Sequence, residues 1–328
     1  MKKLIDDPRL IYKCCKLYYE DNLGQQDIAD HLGISRVSVH RMLKAGKEMG
    51  IVVVNVLSLD NLTYTELERE LEKCFGLKEA VVVESSPLST INDQMSMIGS
   101  ETIKLLGNYI KKGDIVGVSM GRTLHNICAN QRIPANSIEC TFIPILGGIA
   151  IGSRLTEHVH SNQIALNFAK LFGSKHVELF SPAIFSSKEV KEEFMKEESI
   201  ARVIKHYNKI KTVILGMGIP EQNASTMVKS GYTTVSQLNE LKKRGAVGDI
   251  SLQFYDTNGN TEPFREFNER VAAIPLVELR LINNRIGIAS GAEKVETVYG
   301  ALIGGFVNIL VTDQHCAEKL IKFREEVK

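Results

Sequence analysis

Along the first fifty residues the apolar side chains recur at helical spacing. From about residue 80 they shift to short β-branched runs alternating with helical stripes. Leu10, Ile11, Cys14, Leu17 and Tyr18 share one face and predict a helix over Pro8–Glu20, with Pro8 suited to its start. In the stretch from Gln25 to Lys44, Ile28, Leu32, Val39 and Met42 are spaced to lock two short helices together, with the small Ala29 where they cross. Gly33 sits where the turn needs a positive φ, and Ser35 is a natural N-cap for the second helix, Ser35–Lys47. This is the pattern of a DNA-binding helix-turn-helix, whose second helix enters a major groove. Gly50 ends it. The run Ile51–Val56 is strand-like, and both a wing and a simple exit strand remain open. In Leu59–Phe75, Leu67, Leu71, Cys74 and Phe75 form another helical stripe, capped by Thr63 or Thr65; subunit pairing and packing on its own domain are equally open readings.

Strands are expected at Ala80–Val83, Asp114–Val118, Thr141–Leu146, His176–Phe180, Thr212–Gly216, Arg285–Ala289 and Val307–Val311. The helices between them are expected at Gln94–Ile110, Arg122–Asn130, Val159–Phe172, Lys188–Tyr207, Val235–Lys243, Glu293–Leu302 and Cys316–Phe323. That alternation predicts an α/β domain with a largely parallel sheet, whose ligand sits at the carboxyl ends of the strands. The organisation expected is a helix-turn-helix domain over residues 1–57 and an effector and oligomerisation domain over residues 58–328.

Composition adds limits. The 328 residues are 44 % hydrophobic and 24 % charged, ordinary for a folded chain, and the net charge is +1, so nucleic-acid affinity must be local. No apolar run reaches membrane-spanning length, and acids and a proline stand where a secretory leader would be apolar. The six cysteines form no C-x-x-C pair and read as reduced thiols of a cytoplasmic protein.

Candidate DNA contacts are Gln25, at the start of the motif, and Ser35, Arg36, Ser38, His40, Arg41, Lys44 and Lys47 on the outer face of the second helix. Arg and Ser reach base edges, whereas Lys mainly meets phosphates. In the second domain, strand ends run into glycine at Gly117–Thr123, Ile145–Gly148, Leu215–Gly218 and Gly287–Lys294. Two of these turns deliver a cation, Arg122 or Lys294, to a helix start, where the helix dipole disfavours it unless an anion is bound. Ser119 and Thr123 add hydroxyls. Pairing of both cations with surface acids is the competing reading. Asp249 suits sugar hydroxyls or bracing of the next strand, and Asp256–Asn260 is a hairpin-turn signal. His158 and His160, with Glu157, lack a third metal ligand, so no metal is expected, and no cofactor beyond the effector.

These residues resemble the SorC family of bacterial sugar-responsive transcription regulators over essentially the whole chain. The resemblance rests on the helix-turn-helix, Gly117–Leu124, Pro144–Gly148, Ser161–Gly173, Arg244–Asn260, Ala289–Lys294 and Ala301–Leu320. It implies an N-terminal all-α (winged) helix-turn-helix domain followed by a phosphosugar-isomerase-like α/β domain. It implies a homo-tetramer, a dimer of dimers, that binds double-stranded operator DNA, in most members as a repressor, under control of a phosphorylated sugar. Carried over by motif, the effector pocket uses Ser119, Gly121, Arg122 and Thr123, the pair Gly147 and Gly148, Asp249 and Lys294, with Asn162 or Gln163 and Ser181–Ala183 nearby. Met120 and Ser290 depart from the family's usual Trp and Gly. Leu146 replaces the lysine that forms a Schiff base in some relatives, which implies non-covalent binding. The alternative is a sugar-phosphate isomerase or deaminase with an appended DNA-binding domain. Against it, the turn at Gly216–Gly218 is followed by Ile219-Pro220-Glu221 rather than the Asp-Gly-His group of the deaminase relatives.

Overall fold

The computed structural model describes residues 7–52, 64–85, 91–129, 137–148, 159–221, 226–229 and 231–327. The chain divides into two compact units, Met1–Thr63 and Tyr64–Lys328.

The first unit is built on α1 (Pro8–Tyr19), α2 (Gln25–Leu32) and α3 (Arg36–Glu48). Asp7 caps α1 by accepting the Arg9 amide at 2.9 Å. Helix α2 ends on Gly33 at φ +66°, the left-handed conformation that favours glycine. Ser35 caps α3 by accepting the Ser38 amide at 3.1 Å. Ile11, Cys14, Ile28, Ala29, Val39 and Met42 are buried together where the three helices meet. Ile51 and Val52 do not open a strand. The Val52 amide donates back to the Gly46 carbonyl at 3.1 Å, folding the chain onto the helical core. The rest of the expected strand, and with it the wing, lies outside the described residues.

In the second unit α4 (Thr65–Phe75) leads into β1 (Glu79–Val83), α5 (Ile91–Tyr109), β2 (Ile115–Val118), α6 (Arg122–Ala129), β3 (Thr141–Pro144), α7 (Ser161–Leu171) and β4 (Lys175–His176). Then come α8 (Lys188–Phe194), α9 (Glu198–Ile204), β5 (Ile210–Gly216), α10 (Thr226–Lys229), α11 (Val235–Lys243) and a hairpin of β6 (Gly248–Ile250) with β7 (Gln253–Tyr255). The chain closes with α12 (Arg265–Asn268), α13 (Leu276–Leu279), β8 (Asn284–Ile288), α14 (Val295–Ile303), β9 (Ile309–Asp313) and α15 (Gln314–Val327). Among the described residues seven strands form one parallel sheet in the order β1-β9-β8-β5-β2-β3-β4. Apolar clusters cover it on both faces, which is why its strands read as continuous apolar runs. The connections reverse direction between β2 and β5, the crevice where such sheets bind ligands.

Helix α4 packs on its own unit: Leu71 is fully buried, and Leu67 and Phe75 join the same core. Its N-cap is Tyr64 rather than Thr65, and Thr63 is not among the described residues. Two of its carboxylates reach the sheet edge, Glu72 accepting the Ala80 amide at 3.0 Å and Glu68 the Val82 amide at 2.9 Å.

Three expectations are corrected. The strand over His176–Phe180 is only Lys175–His176, because the Asn162 side chain takes over both backbone groups of Leu179, at 2.9 and 3.2 Å. The helix over Lys188–Tyr207 is two helices. Its charged run has no continuous apolar stripe, and the chain turns at Met195–Glu197 after Phe194 packs on Phe185. The turn at Asp256–Asn260 joins no two strands. The hairpin turns earlier, at Ser251 and Leu252, with φ of +51° and +65°; neither residue is a glycine that would announce it.

Candidate functional site

In the first unit, Val37 and Lys44 each lie three or four residues from both His40 and Arg41, and the four form one exposed face of α3, with Arg36 beside it. Ser35 is exposed at the cap. Ser38 is half-buried, its hydroxyl 2.9 Å from that of Ser35, and Gln25 is half-buried at the start of α2. Lys44 stands 3.8 Å from Glu48, and Lys47 lies over the Tyr19 ring at 5.9 Å. Such exposed pairings are worth little and leave both ammonium groups available to phosphates.

In the second unit a cavity of about 150 Å³ opens over the carboxyl ends of β2 and β5, at the reversal point. The turn after β2 supplies Ser119, Met120, Gly121, Arg122 and Thr123. The turn after β5 supplies Met217, Gly218 and Ile219, the hairpin supplies Asp249, Ser251 and Leu252, and the segment after β8 supplies Glu293 and Lys294. Arg122 is the first residue of α6. Lys294 ends a 3-10 turn, Ala292–Lys294, and is the N-cap of α14, so both cations stand where a helix presents its positive end. Lys294 Nζ donates to the Met217 carbonyl. Burial lowers the Lys294 pKa, Asp249 and Glu293 pull it up, and the Arg122 charge lowers it further. The Asp249 carboxyl is pushed up to about 6 by burial, against the Lys294 charge and the Leu252 amide, which donates to it at 3.3 Å. Ser251 Oγ donates to Ser119 Oγ at 3.1 Å. The cavity thus offers two cations (Arg122, Lys294), three hydroxyls (Ser119, Thr123, Ser251) and two carboxyls (Asp249, Glu293) against a wall of Met120, Met217 and Met227. That set suits a small anion carrying hydroxyl groups.

Gly218 is what lets the hairpin close on β5. Its backbone bonds Asp249 in both directions, at 2.9 and 3.1 Å, and a Cβ there would collide with the Asp249 carboxylate. Gly218→Ala is expected to cost about 1–3 kcal/mol by overpacking, read as a lower urea midpoint, and to weaken ligand binding with it. An unchanged midpoint would show that the carboxylate moves aside at no cost.

The other predicted residues gather elsewhere. Gly147 donates its amide to the Ala272 carbonyl at 2.8 Å and lies against the carbonyls of Ser181 and Pro182. Gly148 lies against Ser161 and Asn162, and Gln163 bonds Asn167 at 2.8 Å. None of these lines the cavity. Leu146 is fully buried and bridges to Ala273. His160 sits at the N-cap of α7 with Nδ1 2.6 Å from the Tyr232 hydroxyl; His158 and Glu157 lie outside the described residues. Among the described residues no cluster of His, Cys, Asp or Glu could hold a metal. Met217 and Glu293 were visible as neighbours of a quoted glycine turn and of Lys294. Ser251 and Leu252 lie in the run Arg244–Asn260 without being singled out as site residues, and Met227 carries no sequence signal. A more open groove of about 640 Å³ lies alongside, but Lys242 is paired with Glu221 there, and Lys322 with Glu326 at 3.9 Å.

Residues 60–322 match the Sugar-bind family, a sugar-binding domain. Over 323 residues the chain is 33 % identical to the sorbitol operon regulator of Klebsiella pneumoniae, covering 97 % of this chain and 99 % of that protein. Over 316 residues it is 33 % identical to the deoxyribonucleoside regulator of Bacillus subtilis, covering 95 % and 97 %. The crystal structure of the full-length sorbitol operon regulator SorC from Klebsiella pneumoniae matches with a TM-score of 0.70 at 31 % identity, covering 96 % of this chain and 99 % of that one.

Proposed function

The chain belongs to the SorC family of sugar-binding transcriptional regulators, and from that premise we propose that a phosphorylated sugar in the Lys294 cavity switches the affinity of α3 for operator DNA. The observation that carries this reading is the convergence of Arg122 and Lys294, each at a helix start, over one cavity that also holds Asp249. The cations and the first-turn amides of α6 receive the phosphate, while Asp249, Ser119 and Ser251 meet the sugar hydroxyls. The protein controls a carbohydrate operon, as a repressor, from the cytoplasm, and works as a homo-tetramer built as a dimer of dimers. It needs no cofactor and turns nothing over. The titratable groups lining the cavity (Arg122, Asp249, Glu293 and Lys294) suit anion binding and include no histidine of the kind the deaminase relatives use. Among the described residues no helix is long and apolar enough to cross a membrane.

The test takes the full-length protein with a duplex selected from a randomised library and measures affinity with and without a panel of sugar phosphates and their unphosphorylated counterparts. A phosphorylated member is expected to change the affinity and its neutral counterpart to leave it alone. A response to the neutral sugar alone overturns the phosphate assignment, and steady turnover of any panel member overturns the non-enzyme reading. In the same assay Arg41→Ala is expected to weaken binding by about ten- to a hundred-fold, the worth of a good base contact. The thermal shift given by the sugar phosphate should survive that change. Wild-type affinity in Arg41→Ala moves the recognition surface off this face.

A further inference from the structure

Val37 is 62 % exposed on α3, whereas Val39, Met42 and Leu43 of the same helix are at most 6 % exposed in the three-helix core. It occupies the second helical position after the Ser35 cap, and continues through His40, Arg41 and Lys44 along the face assigned to DNA. No described residue of the first unit covers it, and its two methyl groups stand in the middle of a polar, basic strip. A β-branched side chain in a helix is held in essentially one rotamer, which makes Val37 a rigid apolar probe rather than a mobile one. The major groove has one apolar feature that such a probe can read, the C5-methyl group of thymine. The first turns of the second helix are where base edges are met in this motif.

We propose that Val37 is a specificity-determining residue that reads the C5-methyl of one thymine in each operator half-site. This rests on the DNA-binding reading above. Arg41 and His40 then supply hydrogen bonds to neighbouring bases, while Val37 excludes water from one pyrimidine edge and penalises cytosine, which lacks the methyl group.

The test uses the full-length protein and the duplex selected from a randomised library, with each thymine replaced in turn by deoxyuridine, which removes only the methyl group. At one position per half-site the replacement is expected to weaken wild-type binding about four-fold, the worth of one buried methyl. In Val37→Ala the same replacement should change nothing, while in Arg41→Ala the four-fold penalty should persist. Putting 5-methylcytosine opposite guanine at that position should recover more affinity than cytosine does. Alanine is a good helix former at an exposed site, so the variant keeps its fold. Uniform tolerance of deoxyuridine by the wild type overturns the proposal, as does an equal penalty in Val37→Ala. Failure to select any duplex overturns the DNA-binding reading itself, a different outcome.

Discussion

Lys294→Met is expected to abolish the sugar-phosphate response while leaving operator affinity in the absence of effector unchanged. The ammonium group is largely buried, aimed at the cavity and held by the Met217 carbonyl. Burial has already cost it part of its charge preference, so its full value appears only when an anion arrives. Removing one partner of a buried charge pair typically costs 2–5 kcal/mol, so effector affinity should fall between about 30-fold and several thousand-fold. Methionine keeps the length and the apolar stem, and the cavity wall already contains three methionines, so packing is little disturbed. Because effector and DNA affinities are linked, a ligand that no longer binds cannot bias the two states, and the midpoint for induction moves out of range. Two measurements separate the terms: a thermal-shift titration for the effector and an anisotropy titration of the selected duplex without it. Retained response in Lys294→Met removes this cavity from the mechanism; lost duplex binding without effector makes Lys294 a folding residue.

The second expected result concerns Asp249 and the proton. Its ordinary value of 3.8 is raised to about 6 in the folded protein, chiefly by burial. A carboxyl whose folded pKa is raised holds its proton more tightly when native. The corresponding stability is fully present below 3.8 and lost as pH rises through about 6. Against Asp249→Asn, which cannot titrate, the unliganded wild type should therefore gain about 2 kcal/mol as pH falls from 7 to 4. The check is the difference in melting temperature between the two proteins at pH 7, 6, 5 and 4. Parallel curves would mean that the carboxyl is solvated after all. Lys294 holds the Asp249 value down, so in Lys294→Met the same gain should begin at a higher pH.

The two motifs differ in how they could be read from sequence. The helix-turn-helix was legible because every determinant is local: the apolar spacing of α2 and α3, Gly33 in the left-handed region and Ser35 at the cap lie within twenty residues. The sheet was legible through its β-branched runs, and the glycine turns marked three of the strand ends that line the cavity. What was hidden is non-local. Gly147 and Gln163 share a motif style with the cavity residues, yet the parallel order puts β3 one strand further out, and they pack around Pro182 and Asn167 instead. The hairpin that carries Asp249 over the cavity turns on Ser251 and Leu252, a left-handed pair without glycine, and is held by Gly218, about 100 Å of extended chain away in sequence. His176–Phe180 fails as a strand because an asparagine on another helix competes for its backbone. Val37 looked like any other apolar residue until the helix face was known.

Among the described residues, the edge of the sheet at β1 is closed by Glu68 and Glu72 rather than by another strand. An open edge is a template for any extended segment that meets it. A protonated acid is a poorer acceptor than a carboxylate, and burial raises the Glu68 pKa so that it takes its proton early on acidification. Acid therefore loosens the cover over the Val82 donor and opens it to intermolecular strand pairing, while neutral solution withholds it. Glu68 acts as a solubility guard whose strength is set by pH.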